Sequence, residues 1–181
     1  MKTAIARIFD PRTEAAASVL WIRLMTGSVF FWEGIIKFVF ANQGVGRFTK
    51  LGMPFPDILA PSIASLEIVG GLLLIFGLLT RPLAFVFIGQ MIVAVLSTKV
   101  SLFLGTYPLA YPPVPPIKGF WAVLHEVRSD WAQIATCIFL LLEGPGAWSL
   151  DAWRARQDAP ADRARTEAAP LGRQRRESFL T

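Results

Sequence analysis

Glu33 and Lys37 stand four residues apart in a largely apolar stretch, and Glu67 is the single charge between residues 58 and 79. A glutamate one helical turn before a lysine is the favourable order for an ion pair. A carboxyl inside an apolar run can hold or release a proton, or orient a ligand. Helical steps of about 100° place Arg23, Gly27, Phe30, Gly34 and Lys37 on one stripe, with Glu33 beside it. A purely structural alternative is equally open. Lys37 or Arg23 would neutralise Glu67 and fix the order of the helices, with Lys37 snorkelling outward. Gln90 and Ser97 share a face with Ala94 and Ser101 and suit interhelical hydrogen bonding, whereas Lys99 is expected to point away and snorkel.

A second constellation is His125, Glu126, Arg128 and Asp130, four ionisable groups within six residues. It follows a proline-rich stretch at 106–118, where regular helix is forbidden, and an interfacial pair, Phe120 and Trp121. The four groups could cap a cavity between helices, making one candidate polar pocket of seven residues with Glu33, Lys37 and Glu67 on the same side of the membrane, or pair with one another in solvent. His125 is the only imidazole, the side-chain type a proton relay would use. Cys137 is the lone thiol, which excludes disulfide shuttling within the chain and suits a small buried hydrophobe. Ligand count also excludes a zinc site or a two-histidine haem site made by this chain alone. No metal is expected. No phosphate loop, dinucleotide fingerprint, hydrolase elbow or metalloprotease helix is present.

The elements that position these groups follow from composition. Of the 181 residues, 54% are hydrophobic and 17% charged, against about 25% charged in soluble domains. Crossing a hydrocarbon core of about 30 Å takes about 20 helical residues. Four segments fit, at about 16–40, 58–79, 82–104 and 130–148, with Ser129 or Asp130 as the N-cap of the last. The expected fold is an all-α membrane protein, a four-transmembrane-helix bundle. The first segment is too long and too charged for a cleaved signal peptide. Glu67 would then lie roughly 14 Å below the outer end of the second span.

Lys2, Arg7, Arg12 and Arg81, with Arg154, Arg156, Arg163 and Arg165, outnumber Arg47, Lys50, Lys118 and Arg128 on the other side. This bias predicts both termini in the cytoplasm. Residues 1–151 form the membrane domain and 152–181 a flexible, arginine-rich cytoplasmic tail attracted weakly to anionic lipid. The basic pI is explained by this topology, and no nucleic-acid-binding motif accompanies it.

Several motifs occur in a specific order: Trp32-Glu33-Gly34 leading to Lys37-Phe38, Arg47-Phe48 with Gly52-Met53-Pro54-Phe55-Pro56, and Leu66-Glu67-Ile68-Val69-Gly70-Gly71. Gly77-Leu78-Leu79-Thr80-Arg81-Pro82 and Gly144-Pro145-Gly146-Ala147-Trp148-Ser149-Leu150-Asp151 complete the set. Over about residues 18–151 the chain resembles the DoxX family of small bacterial membrane proteins, and the stretch from His125 to Asp130 resembles one of its subgroups. The resemblance implies a four-helix protein of the bacterial inner membrane associated with redox metabolism. Founding members are tied to thiosulfate:quinone oxidoreduction and others to membrane oxidoreductase assemblies.

The first functional expectation is therefore a subunit of a quinone-linked oxidoreductase, with a quinone head near Glu33, Lys37 and Glu67. The second is a non-catalytic scaffold recruiting a redox partner, and the third a small-solute or proton transporter. No cofactor motif is evident in the chain itself, so a quinone is the cofactor to consider, and whether the protein is an enzyme is left open. The expected partners are the lipid bilayer and a redox protein or a second copy of the chain, with no nucleic acid.

Overall fold

The structure, a computed structural model, describes residues 15–157. The described residues are helical, without strands. Helix α1 spans Val19–Val39, α2 Val45–Lys50, α3 Pro56–Phe76, α4 Thr80–Leu104, α5 Phe120–Glu126 and α6 Arg128–Glu143. A last helical stretch, α7, covers 150–157. Most of the tail lies outside the described residues, but its first part, 152–157, is helical rather than irregular.

Local sequence explains the boundaries. Pro56 opens α3, where its missing N–H costs nothing. Gly77, at φ +69°, ends α3 in the left-handed conformation that glycine adopts without a Cβ penalty. Three residues later α4 begins, with Pro82 in its first turn. Gly105 ends α4 and Gly144 ends α6. The last span was expected to reach 148, but Gly144-Pro145-Gly146 stops α6 at Glu143. It is capped at its start by Val127, with no side-chain cap from Ser129 or Asp130.

Three helices, α1, α3 and α4, are long and apolar enough to cross a membrane, with mean hydropathies of 1.4, 2.1 and 2.0. The fourth expected span is shorter. At 16 residues, α6 is about 24 Å long. It nevertheless runs antiparallel to α4: Asp130 near its start pairs with Lys99, and Arg81 at the start of α4 donates to the Leu141 and Glu143 carbonyls.

Two ends of the bundle can be defined. The proximal end gathers residues 15–19, the 77–79 turn and 144–157; the distal end gathers 40–56 and 104–128. Trp21, Trp148 and Trp153 are exposed near the proximal end, and Trp121 and Trp131 near the distal end. Five of the six tryptophans are thus sorted as the two headgroup regions of a bilayer would sort them, and Trp32 is exposed part-way along α1.

Packing between α1 and α3 relies on absent side chains. A Cβ on Gly27 would sit 2.6 Å from the Gly71 carbonyl oxygen, and one on Gly34 would sit 2.6 Å from that of Ala64. Lipid tails are as apolar as leucine, so close backbone approach and van der Waals contact hold such helices together. Behind this seam Phe30 stacks on Phe87 at 3.9 Å, joined by Leu74, Leu83, Ala84, Cys137 and Leu140. The core thus unites α1, α3, α4 and α6.

Candidate functional site

Antiparallel packing of α1 on α3 at the register set by Gly34 and Ala64 brings Lys37 beside Glu67. The Lys37 ammonium donates to Glu67 Oε2 at 2.7 Å, and Gln90 of α4 donates through Nε2 to Glu67 Oε1. Both carboxylate oxygens therefore have a partner, each from a different helix. Glu67 is 3% exposed. Gly70 and Gly71 lie one turn further along α3, and Gly70 leaves room for the Phe87 ring. Lys37 also donates to the Glu33 carbonyl oxygen at 3.3 Å and lies 3.7 Å from the Glu33 carboxylate. The Glu33 side chain is 58% exposed while that of Lys37 is 14% exposed, so the cluster runs from a buried acid to a surface acid through one ammonium. Gln90 Oε1 is buried and accepts no hydrogen bond among the described residues.

Arg23 does not join this cluster. It sits at the proximal end, 1% exposed, where Nη2 donates to the Trp148 carbonyl oxygen and the plane of the guanidinium fills the space above Gly77. Asp151 attracts it electrostatically, while Arg23 Nε and Nη1 make no hydrogen bond among the described residues. The Asp151 carboxylate accepts from the Leu79 and Thr80 backbone N–H groups, both at 3.1 Å, and so caps α4 from a distant part of the chain. Asp151 N–H donates in turn to the Gly77 carbonyl, and Ala147 N–H to that of Ala15. The segment from Gly144 to Asp151 is a strap across this end.

The distal groups form a third set. Asp130 pairs with Lys99 at 3.3 Å, so Lys99 does not point away from the bundle as expected but ties α4 to α6. His125 Nδ1 lies 3.4 Å from Glu126 Oε1, and Arg128 donates to the His125 carbonyl oxygen. Both His125 and Arg128 are exposed beside a shallow groove lined with Pro116, Trp121 and Leu124. Burial raises the Tyr107 phenol above its usual pKa; Glu126 and Asp130 reinforce the rise, and the positive charge of Arg47 opposes it.

The expected pocket is thus two separate groups. Glu33, Lys37 and Glu67 come together, with Gln90 added. His125, Glu126, Arg128 and Asp130 gather elsewhere, at the distal end. Ser97 donates to the Ala94 carbonyl on its own helix rather than bridging to another. Cys137 is fully buried. Among the described residues no three His, Cys, Asp or Glu groups are placed to hold a metal. Asp151 was not singled out as a functional group, because an acid that caps a helix 71 residues away leaves no local spacing to detect.

A helical bundle with three membrane-length apolar helices and interior ion pairs defines an integral membrane protein. The chain belongs to the DoxX family, whose model matches residues 18–100. It is 40% identical over 144 residues to "Uncharacterized membrane protein Rv3486" of Mycobacterium tuberculosis (strain ATCC 25618 / H37Rv), covering 76% of this chain and 82% of the relative. It is 33% identical over 132 residues to a Bacillus subtilis (strain 168) protein named "Putative oxidoreductase CatD", covering 73% and 83% respectively. No solved structure matches the chain significantly.

Proposed function

We propose that this protein is the membrane subunit of a quinone-linked redox assembly in the bacterial inner membrane, with Lys37, Glu67 and Gln90 receiving the quinone head. The observation that carries this reading is the buried Glu67 carboxylate held between an ammonium and an amide. The residues fit a quinone on both counts a head group needs. The Lys37 ammonium has its loosest contact, 3.7 Å, with the exposed Glu33, so that N–H can turn to a carbonyl oxygen. Gln90 Oε1, buried and unpartnered, suits the hydroxyl of a reduced head. Glu67 lies between them as the group that holds or passes a proton. A bound quinone would supply two-electron, two-proton chemistry, with electrons delivered by a partner redox protein. The relative named as an oxidoreductase supports the same direction.

The topology proposed with it has four crossings and both termini inside. It is supported by α6 lying antiparallel on α4 between Lys99 and Arg81 and by the arginine excess at the proximal end. In nanodiscs, a short-chain quinone should bind saturably. Lys37→Met or Gln90→Leu should each weaken binding about tenfold, the loss expected for one charge-assisted or buried hydrogen bond. Absence of saturable binding to the wild-type protein overturns the reading.

A second reading, a non-catalytic scaffold that recruits a redox partner, is favoured by the fact that both Glu67 oxygens already have partners within the chain. On that reading Glu67→Gln leaves coupled respiration unchanged, and deleting residues 158–181 abolishes co-purification of the partner.

A further inference from the structure

Helix α7 is fixed to the proximal end and presents an unusual face. Asp151 and Ala152 are turned inward and buried, at 7% exposure each. Ala152 N–H donates to Ser149 Oγ at 3.0 Å, and Asp151 caps α4. Leu150, Trp153, Arg154 and Gln157, spaced as one helical face, are all exposed. Asp151 is the only acid between 144 and 157, and it is buried; the exposed charges of this segment are both positive, Arg154 on that face and Arg156 at its flank, where it also donates to the Ala147 carbonyl oxygen at 3.3 Å.

We propose that α7 is an interfacial anchor that seats Trp153 in the headgroup region and binds the phosphates of anionic phospholipids through Arg154 and Arg156. Depth supports it. The strap bonds directly to Ala15, four residues ahead of α1, and to Gly77, which ends the membrane-length α3, so α7 starts near the level where those helices leave the hydrocarbon. Trp21 and Trp148 are exposed around the same end, giving α7 a place in an aromatic girdle. Charge supports it as well. A solvated helix would gain nothing from an exposed leucine and tryptophan beside its arginines, whereas a bilayer surface accepts all four side chains of the face. Each arginine near an anionic leaflet strengthens attachment about fivefold.

The test uses the full chain in nanodiscs, spin-labelled at Q157C; Cys137 is fully buried and stays unlabelled. Discs of phosphatidylcholine alone are compared with discs that also contain phosphatidylglycerol. The label should be shielded from a water-soluble relaxation agent more strongly in the anionic discs than in the neutral ones. R154Q/R156Q should lose this extra shielding, roughly 25-fold in anionic-lipid selectivity, and R154K/R156K should keep it, with unchanged melting showing that the strap is intact. Equal accessibility in both lipids overturns the proposal. So does extra shielding that survives R154Q/R156Q, that inorganic phosphate produces in neutral discs, or that appears only when soluble protein is added.

Discussion

The interior ion pair around Glu67 and the proximal knot around Arg23 look alike in composition, each a buried charge with a counter-charge on another element. They differ in what the charges hold. Glu67 is bound by two side chains, Lys37 and Gln90. Asp151 and Arg23 are bound largely to main chain: the Leu79 and Thr80 N–H groups and the Trp148 carbonyl. Side-chain partners can be exchanged, by a ligand or by mutation. Backbone partners cannot be removed, and losing their acceptor leaves them stranded. The first arrangement is suited to function and the second to holding the chain ends together.

The largest effect should therefore come from the knot. Asp151→Ala strands two backbone donors and leaves Arg23 without its counter-charge. A loss of about 3–5 kcal/mol is expected, since each buried donor left unpaired costs about 1–3 kcal/mol. Denaturant titration in detergent micelles measures it. Adding Arg23→Leu should not restore stability, because the Leu79 and Thr80 N–H groups are still unpaired. Recovery to near the wild-type midpoint in that double variant would erase the distinction between the two regions.

Gly77→Ala attacks the same knot sterically. Its φ of +69° strains any residue with a Cβ, and that Cβ would collide with the Arg23 guanidinium. Strain and overpacking together should cost about 2–4 kcal/mol. Thermal melting in micelles checks it, and Gly89→Ala, where nothing lies within 4 Å, is the matched control.

At Glu67 the expectation reverses. Glu67→Ala leaves Lys37 with only the exposed Glu33 and should destabilise by about 2–3 kcal/mol. The double variant Glu67→Leu with Lys37→Met replaces the pair with apolar groups. It should return to within about 1 kcal/mol of wild type while losing quinone binding. A double variant as unstable as Glu67→Ala would show that this pair is as indispensable as the knot.

These contrasts also explain what could be read from sequence. The α1 stripe of Arg23, Gly27, Phe30, Gly34 and Lys37 was legible because it depends only on the rotation of one helix, and all five face the bundle interior. The link from Lys37 to Glu67 was one of two open alternatives, since it needs the register of two helices. Lys99 was placed wrongly for that reason: its partner, Asp130, becomes available only once α6 is known to lie antiparallel on α4. The end of α6 was overextended because the apolar character of Ala147 and Trp148 continues past the glycines that break the helix. The seven residues grouped as one pocket shared a side of the membrane in the sequence reading. The packing separates them, because α5 and the proline-rich loop hold His125 and Arg128 at the distal surface.

The smallest expected effect lies in that distal region and tests whether its polar groups are tied to the fold at all. The phenol of Tyr107 is raised above its unfolded value by burial, with Glu126 and Asp130 adding to the rise against Arg47. A folded pKa above the unfolded one means that folding favours the neutral phenol. The contribution is fully present below the unfolded pKa, near 10, and is lost as pH rises through the folded value. Melting temperature should therefore fall in the alkaline range by more in the wild-type protein than in Tyr107→Phe, while the two profiles run parallel at neutral pH. Identical alkaline profiles would mean that Tyr107 is solvated like the His125 and Arg128 side chains beside the groove. The rest of the distal cluster would then be a surface feature beside the Lys99–Asp130 pair, which ties α4 to α6.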